Sequence, residues 1–149
     1  MNSADNHGQG GAQAALSTRP FEKVRILDFS QVVSGPLATH LLTMMGADVI
    51  KFERPPDGDE ARMFCATQDL VALGVGSSFQ ALNAGKRSMS LDLKQPEAIA
   101  LVKQMVATAD VVIENFRPGV MQRLGLGYDS LSALKPDLVY CSISGYGQE

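Results

Sequence analysis

The stretch VRILDFSQVVSGPLATHLLTMMGADVIKFE, residues 24–53, decides the fold. Residues 24–30 form a short apolar run rich in branched and aromatic side chains, which reads as a buried strand. Ser34-Gly35-Pro36 follows, and Pro36 suits the first turn of a helix, where its fixed φ is already helical and a missing N–H costs nothing. Leu37, Leu41 and Met45 then recur at steps of four with Ala38 and Leu42 beside them, which predicts an amphipathic helix. Gly46 stands where a left-handed C-terminal cap belongs. Residues 48–53, DVIKFE, read as a second strand and close a strand–helix–strand unit.

Outward from this unit, residues 1–20 are rich in Gly, Ala, Gln and Asn and read as a flexible tail, leaving 21–149 as the folded part. Residues 54–85 are the least legible: the turn-rich PPDGDE leads into an apolar, glycine-broken segment that predicts either a helix around 78–83 or a covering loop. Alternation over 88–93 predicts a half-exposed strand. Pro96-Glu97 opens the clearest helix, with Ala98, Leu101, Val102, Met105 and Ala109 on one face. Residues 110–114 and 137–144 are strands, separated by Asn115-Phe116-Arg117-Pro118-Gly119, a helical piece through Arg123, and a second piece carrying Leu131 and Leu134 that Lys135-Pro136 stops. Nearly continuous apolar strands alternating with helices predict an α/β fold, a Rossmann-like, open and mainly parallel sheet with helices on both faces.

The 149 residues are 45% hydrophobic and 19% charged with a net charge of −3, which excludes disorder as the main state and gives no global attraction to nucleic acid. No run approaches the roughly 18 apolar residues of a membrane span, and the N-terminus has neither a basic start nor an apolar export core, so a cytoplasmic protein is expected. Cys65 and Cys141 have no basic neighbour to lower a thiol pKa and read as packing residues. His7 and His40 stand at no recognised metal spacing from them, so no metal site is expected, and no nucleophilic triad is visible.

In a parallel sheet the loops after the strands share one edge, and ligands bind there. Those loops hold Gln31 to Pro36, Arg54 to Gly58, Asn115 to Gly119 and Gly145 to Gln148, supplying glycines for close backbone approach and arginines for phosphate. A nucleotide-bearing ligand fits. The NAD and ATP fingerprints nevertheless fail, because no G-x-G-x-x-G follows the first strand and Gln80 stands where a P-loop ending at Gly85-Lys86 needs its first glycine. Asp57, Asp59 and Glu60 read as a solvated rim.

The segments VRILDFSQVVSGPLATHLLTMMGADVIKFERPPDGDEAR, NAGKRSMSLDLKQPE, ADVVIENFRPGVMQRLGLGYDSL and PDLVYCSISGYGQ, in this order and spacing, resemble the N-terminal part of the class III CoA-transferase family, which also includes 2-methylacyl-CoA racemases. The resemblance covers residues 21–148 and implies a large domain that binds coenzyme A or acyl-CoA as a substrate, with no permanently bound cofactor, in an interlinked homodimer. It implies an aspartyl–CoA intermediate in CoA transfer from an acyl-CoA to a small carboxylic acid, on a nucleophilic aspartate expected beyond Glu149, so that this chain alone is expected to be inactive. Carried over by motif, the coenzyme contacts fall on Val32, Val33, Ser34, Arg54, Leu91, Lys94, Asn115, Phe116 and Arg123. Arg54, Lys94 and Arg123 would meet phosphates, and Phe116 the adenine or the pantetheine arm. Formyl-CoA transferases carry a glutamine two residues before the Gly-Pro pair; Val33 stands there, which argues against a formyl- or oxalyl-specific enzyme. A racemase of the same family and a non-catalytic nucleotide- or CoA-binding module are the alternative readings.

Overall fold

The first apolar run forms β1 (Arg25–Asp28), from which the chain enters α1 (Ser34–Met44) and returns as β2 (Asp48–Glu53), paired parallel to β1 with Leu27 opposite Ile50. The computed structural model describes residues 19–148, so nearly all of the expected tail lies outside the described residues. As expected, Gly46 takes a left-handed conformation with φ +106° beyond α1, and the amide that follows it bonds back to Leu42 O at 3.0 Å.

Residues 54–85 resolve into a 3₁₀ turn (Glu60–Met63), α2 (Gln68–Ala72) and α3 (Ser77–Asn83). Then follow β3 (Arg87–Ser90), α4 (Pro96–Val106), β4 (Val111–Glu114), α5 (Val120–Arg123), α6 (Tyr128–Ser132) and β5 (Val139–Ser142). The strand order is β3-β2-β1-β4-β5, and every pairing is parallel. The sheet grows from β1 toward β3 and then, through α4, restarts on the other side of β1. Its topological switch point therefore lies between β1 and β4.

The two faces of the sheet differ in chemistry. One is apolar along its length: Leu27, Phe29, Ile50, Phe52 and Val112 pack beneath Val102 and Val106 of α4, Met121 of α5 and Leu131 of α6. The other is apolar at Ile26 and Val49, near the amino ends of β1 and β2, and at Ile113 of β4, which stands level with Asp28. Toward the carboxyl ends it buries Asp28, Lys51 and Glu53. Asp28 accepts from Thr39 Oγ1 of α1 at 2.6 Å and pairs with Lys86 Nζ at 3.1 Å, and Glu53 forms a two-pronged pair with Arg62 at 2.7 and 2.8 Å. Buried charge survives here because each group has an opposite charge and further hydrogen bonds.

This polar underlay corrects the reading of α1. Its buried residues are Gly35, Pro36 and Thr39, whereas Leu37, Leu41 and Met45 are exposed, because the face above Asp28 must be small and polar. On α4 the buried positions are Ala98, Val102 and Val106, and Leu101 faces outward. The strand expected over 88–93 ends at Ser90, leaving Leu91 to Lys94 in the following loop. Neither cysteine packs in the core: Cys65 lies in an exposed turn and Cys141 on the edge strand β5.

Candidate functional site

Beyond the carboxyl ends of β1 and β4 the two loops are tied together. The Gln31 N–H donates to Asn115 Oδ1 at 2.7 Å, and Asn115 Nδ2 donates to the Gln31 carbonyl at 2.8 Å. Buried Lys51 donates to the Ser30 carbonyl at 2.7 Å, and the Val32 N–H reaches buried Asp59 Oδ1 at 3.0 Å. Phe116, next along the β4 loop, has its amide held by Glu114 Oε2 at 2.8 Å, which fixes where its ring starts.

On the β2 side of this junction opens a cavity of about 270 Å³. Its apolar part is formed by Phe29 and Phe52, stacked at 4.4 Å, with Leu91, Leu93, Phe116, Val120 and Leu124. Its polar part includes Arg54, Lys94, Glu60 and Asp92. The side chains of Arg54 and Lys94 have no hydrogen-bond acceptor among the described residues, which leaves both cations available to an anionic ligand. Asp92 is occupied: its carboxyl lies below the usual range, held first by Gln95 Nε2 at 3.1 Å and then by the Lys94 N–H at 3.0 Å.

The cavity continues past Gln31, Glu60 and Phe116 into a second hollow lined by Val32, Val33, Ser34, Asn115 and Arg117. A third, lined by Ser34, Phe116, Pro118, Ser144 and Gly145, extends it to the loop after β5. The result is one groove along the ligand edge, with an apolar slot at one end.

Eight of the nine residues singled out by motif line this groove: Arg54, Leu91, Lys94 and Phe116 at the slot, and Val32, Val33, Ser34 and Asn115 beyond it. Asn115, however, spends its amide on the Gln31 backbone and so acts first as a loop clamp. Arg123 stands outside the walls of these three hollows, on the last turn of α5, one helical step from Val120. Sequence reasoning missed the Phe29–Phe52 floor, although alternation along β1 and β2 places both on the same sheet face. It also misjudged Asp59, which is not a solvated rim residue but is 1% exposed and ion-paired to Lys51 Nζ at 2.8 Å. The turn closes as the Gly58 N–H bonds to the Arg54 carbonyl, and directly after it the Asp59 N–H bonds to buried Glu53 Oε2 at 3.1 Å, which carries Asp59 inward.

Residues 21–149 match CoA-transferase family III. The chain belongs to that family. It is 46% identical over 133 residues to a succinate–glutarate CoA-transferase of Agrobacterium fabrum, covering 87% of this chain and 33% of that protein. It is 40% identical over 154 residues to the human succinyl-CoA:glutarate CoA-transferase, covering 95% and 34%. A formyl-CoA:oxalate CoA-transferase of Rhodopseudomonas palustris is 42% identical over 130 residues, covering 87% and 30%. Among solved structures, Rv3272 of Mycobacterium tuberculosis superposes with a TM-score of 0.77 at 40% identity, covering 88% of this chain and 34% of that one. A CAIB/BAIF family protein of Brucella suis gives 0.78 at 38% identity, covering 87% and 34%. This family III chain thus spans about a third of the length of the relatives it matches. Among its described residues no helix is long and apolar enough to cross a membrane.

Proposed function

We propose that this chain is the coenzyme-binding part of an acyl-CoA:carboxylate CoA-transferase, with the groove at the β1/β4 switch point holding coenzyme A as a substrate. The observation that carries this reading is the pairing of an apolar aromatic slot with two cations, Arg54 and Lys94, whose side chains have no hydrogen-bond acceptor among the described residues. A purine fits the first and phosphates the second, and the remainder of the groove, from Gln31 past Phe116 to Ser34, suits a narrow, partly apolar arm. Arg123 would reach phosphates that project beyond the slot.

In the reaction, a carboxylate of the enzyme attacks the thioester carbonyl of acyl-CoA, the C–S bond breaks, and a mixed anhydride and CoA thiolate form. The thiolate then attacks the enzyme's half of the anhydride, releasing the donor acid and leaving an enzyme–CoA thioester. The acceptor carboxylate repeats the exchange in reverse. The nucleophilic aspartate is assigned to no residue of this groove. What this chain contributes is binding: it holds the coenzyme so that attack becomes effectively unimolecular.

The similarity to two relatives named as succinate–glutarate and succinyl-CoA:glutarate CoA-transferases, together with Val33 where formyl-CoA transferases carry glutamine, favours succinyl-CoA and small dicarboxylates as substrates. We further propose a cytoplasmic homodimer. Calorimetric titration of the chain with coenzyme A, NAD and ATP tests the central reading. Coenzyme A should bind in preference to both others, and tighter binding of NAD would overturn it.

A further inference from the structure

Val32 has φ +69°, in the left-handed region where a β-branched residue is an outlier. Nothing in its own side chain favours that state, so the conformation is imposed from outside. Asp59 Oδ1 accepts the Val32 N–H at 3.0 Å and the Ala61 N–H at 2.9 Å, while its other oxygen lies 2.8 Å from Lys51 Nζ. Lys51 in turn holds the Ser30 carbonyl. Both members of the pair are about 1% exposed, so neither can swing away. They grip the same short loop at Ser30 and Val32, with Asn115 holding Gln31 between them.

Because of that grip, Val32 and Val33 form one wall of the groove, and Val33 stays 49% exposed there despite being apolar. A buried ion pair is seldom more stabilising than an apolar pair of the same shape, and left-handed valine costs stability. Their joint presence at one wall of a ligand groove is accounted for by preorganisation, in which fold stability is given up so that the wall is formed before the ligand arrives.

We propose that Asp59, which lines none of the groove, is a positioning residue for coenzyme binding: through the Val32 amide it locks the strained turn that shapes the groove wall. This rests on the reading of the groove as a coenzyme A site. Without the lock, Val32 relaxes to an ordinary conformation, the competent loop becomes a minority state, and affinity falls by the fraction lost.

The test compares the wild-type chain with Lys51→Met/Asp59→Asn and Lys51→Met/Asp59→Ala, both lacking Lys51 so that no ammonium is left buried alone. Coenzyme A affinity is read by calorimetry, exchange of the Val32 amide by NMR, and folding by thermal melting. The asparagine form keeps the acceptor for the Val32 N–H and should retain slow exchange and affinity within about threefold of wild type. The alanine form should exchange the Val32 amide quickly and bind about tenfold more weakly. Adding Val32→Asn to the alanine form should recover most of that loss, because asparagine occupies the left-handed region far more readily than valine.

Equal affinities in the asparagine and alanine forms, or no recovery with Val32→Asn, would overturn the proposal. Absence of coenzyme A binding by the wild-type chain would overturn the site reading instead, and the Val32 exchange rates would still report whether Asp59 holds the turn. Should the alanine form not melt cooperatively, Val32→Asn alone decides: strain held by Asp59 requires a higher Tm, and an unchanged or lower Tm counts against it.

Discussion

Asn115 holds both polar ends of the Gln31 residue, accepting its N–H at 2.7 Å and donating to its carbonyl at 2.8 Å across the two strands where the sheet changes direction. Replacing Asn115 with alanine removes both bonds and should cost about 2 kcal/mol in urea denaturation, at roughly 1 kcal/mol for each. Asn115→Asp keeps the acceptor but sets a carboxylate against a carbonyl, and should be at least as weak in coenzyme A binding as the alanine form. A full-affinity Asn115→Asp protein would show that the clamp does not shape the groove.

Gly35 has no space for a side chain: a Cβ there would overlap Ser30 Cβ and Oγ, in a residue that is itself fully buried and hydrogen-bonded to Asp28. Gly35→Ala must push the first turn of α1 away from the β1 loop. It should lower stability by about 1–3 kcal/mol, as overpacking does, and weaken coenzyme A binding together with it. Thermal melting and calorimetry on one preparation would check both.

The strand–helix–strand unit and the parallel sheet were legible because each rests on local signals, apolar runs and Pro36 at a helix start; six groove residues lie in loops that a parallel sheet gathers on one edge, whereas Leu91 and Lys94 came only from the family resemblance. What was not legible depends on contacts distant in sequence. The stripe Leu37, Leu41, Met45 has the spacing of a buried face, yet Thr39 is buried instead, since Asp28, eleven residues earlier, needs its hydroxyl. Asp59 looks like any turn carboxylate until Lys51 is placed beneath it. Residues 54–85 were opaque because Arg62 organises them through Glu53, the Gly74 carbonyl at 2.7 Å and the Phe79 ring at 3.6 Å, partners up to 17 positions away.

That inversion of the α1 faces has a measurable consequence. Leu41→Lys should change stability by no more than about 0.5 kcal/mol in the monomeric chain, because the side chain is already half exposed. Leu27→Ala, in the fully buried apolar face, should cost about 2–5 kcal/mol. Chemical denaturation of both variants separates the observed packing from the one the periodicity suggests. A Leu41→Lys chain that loses as much as Leu27→Ala would restore the periodic reading.

Arg54 and Lys94 line the same slot and their side chains have no hydrogen-bond acceptor among the described residues, so binding there should be salt-sensitive. Arg54→Ala and Lys94→Ala should each weaken coenzyme A by about tenfold at low salt, with a smaller loss near molar salt. Dephospho-coenzyme A and adenosine, titrated against the same variants, show which phosphate each cation meets. If adenosine is weakened as much as coenzyme A, the two side chains serve the ring and not the phosphates.

Glu53 makes the fold acid-sensitive in a defined window. Burial alone would push its carboxyl up, but the Arg62 guanidinium foremost, then Ser88 Oγ and the Asp59 N–H, bring it from 4.5 down to about 2. A carboxyl with a lower pKa folded than unfolded binds more protons when unfolded, so its contribution is complete above about pH 4.5 and is lost as pH falls toward 2. Since the group is almost fully buried, the amount at stake is on the order of 3 kcal/mol. Glu53→Gln keeps an acceptor for Arg62 and Ser88 but cannot titrate, so its stability should be lower at pH 7 and should fall less steeply than wild type between pH 4.5 and pH 2. Urea midpoints across that range decide it: parallel curves for the two proteins would mean that another carboxylate governs the acid transition.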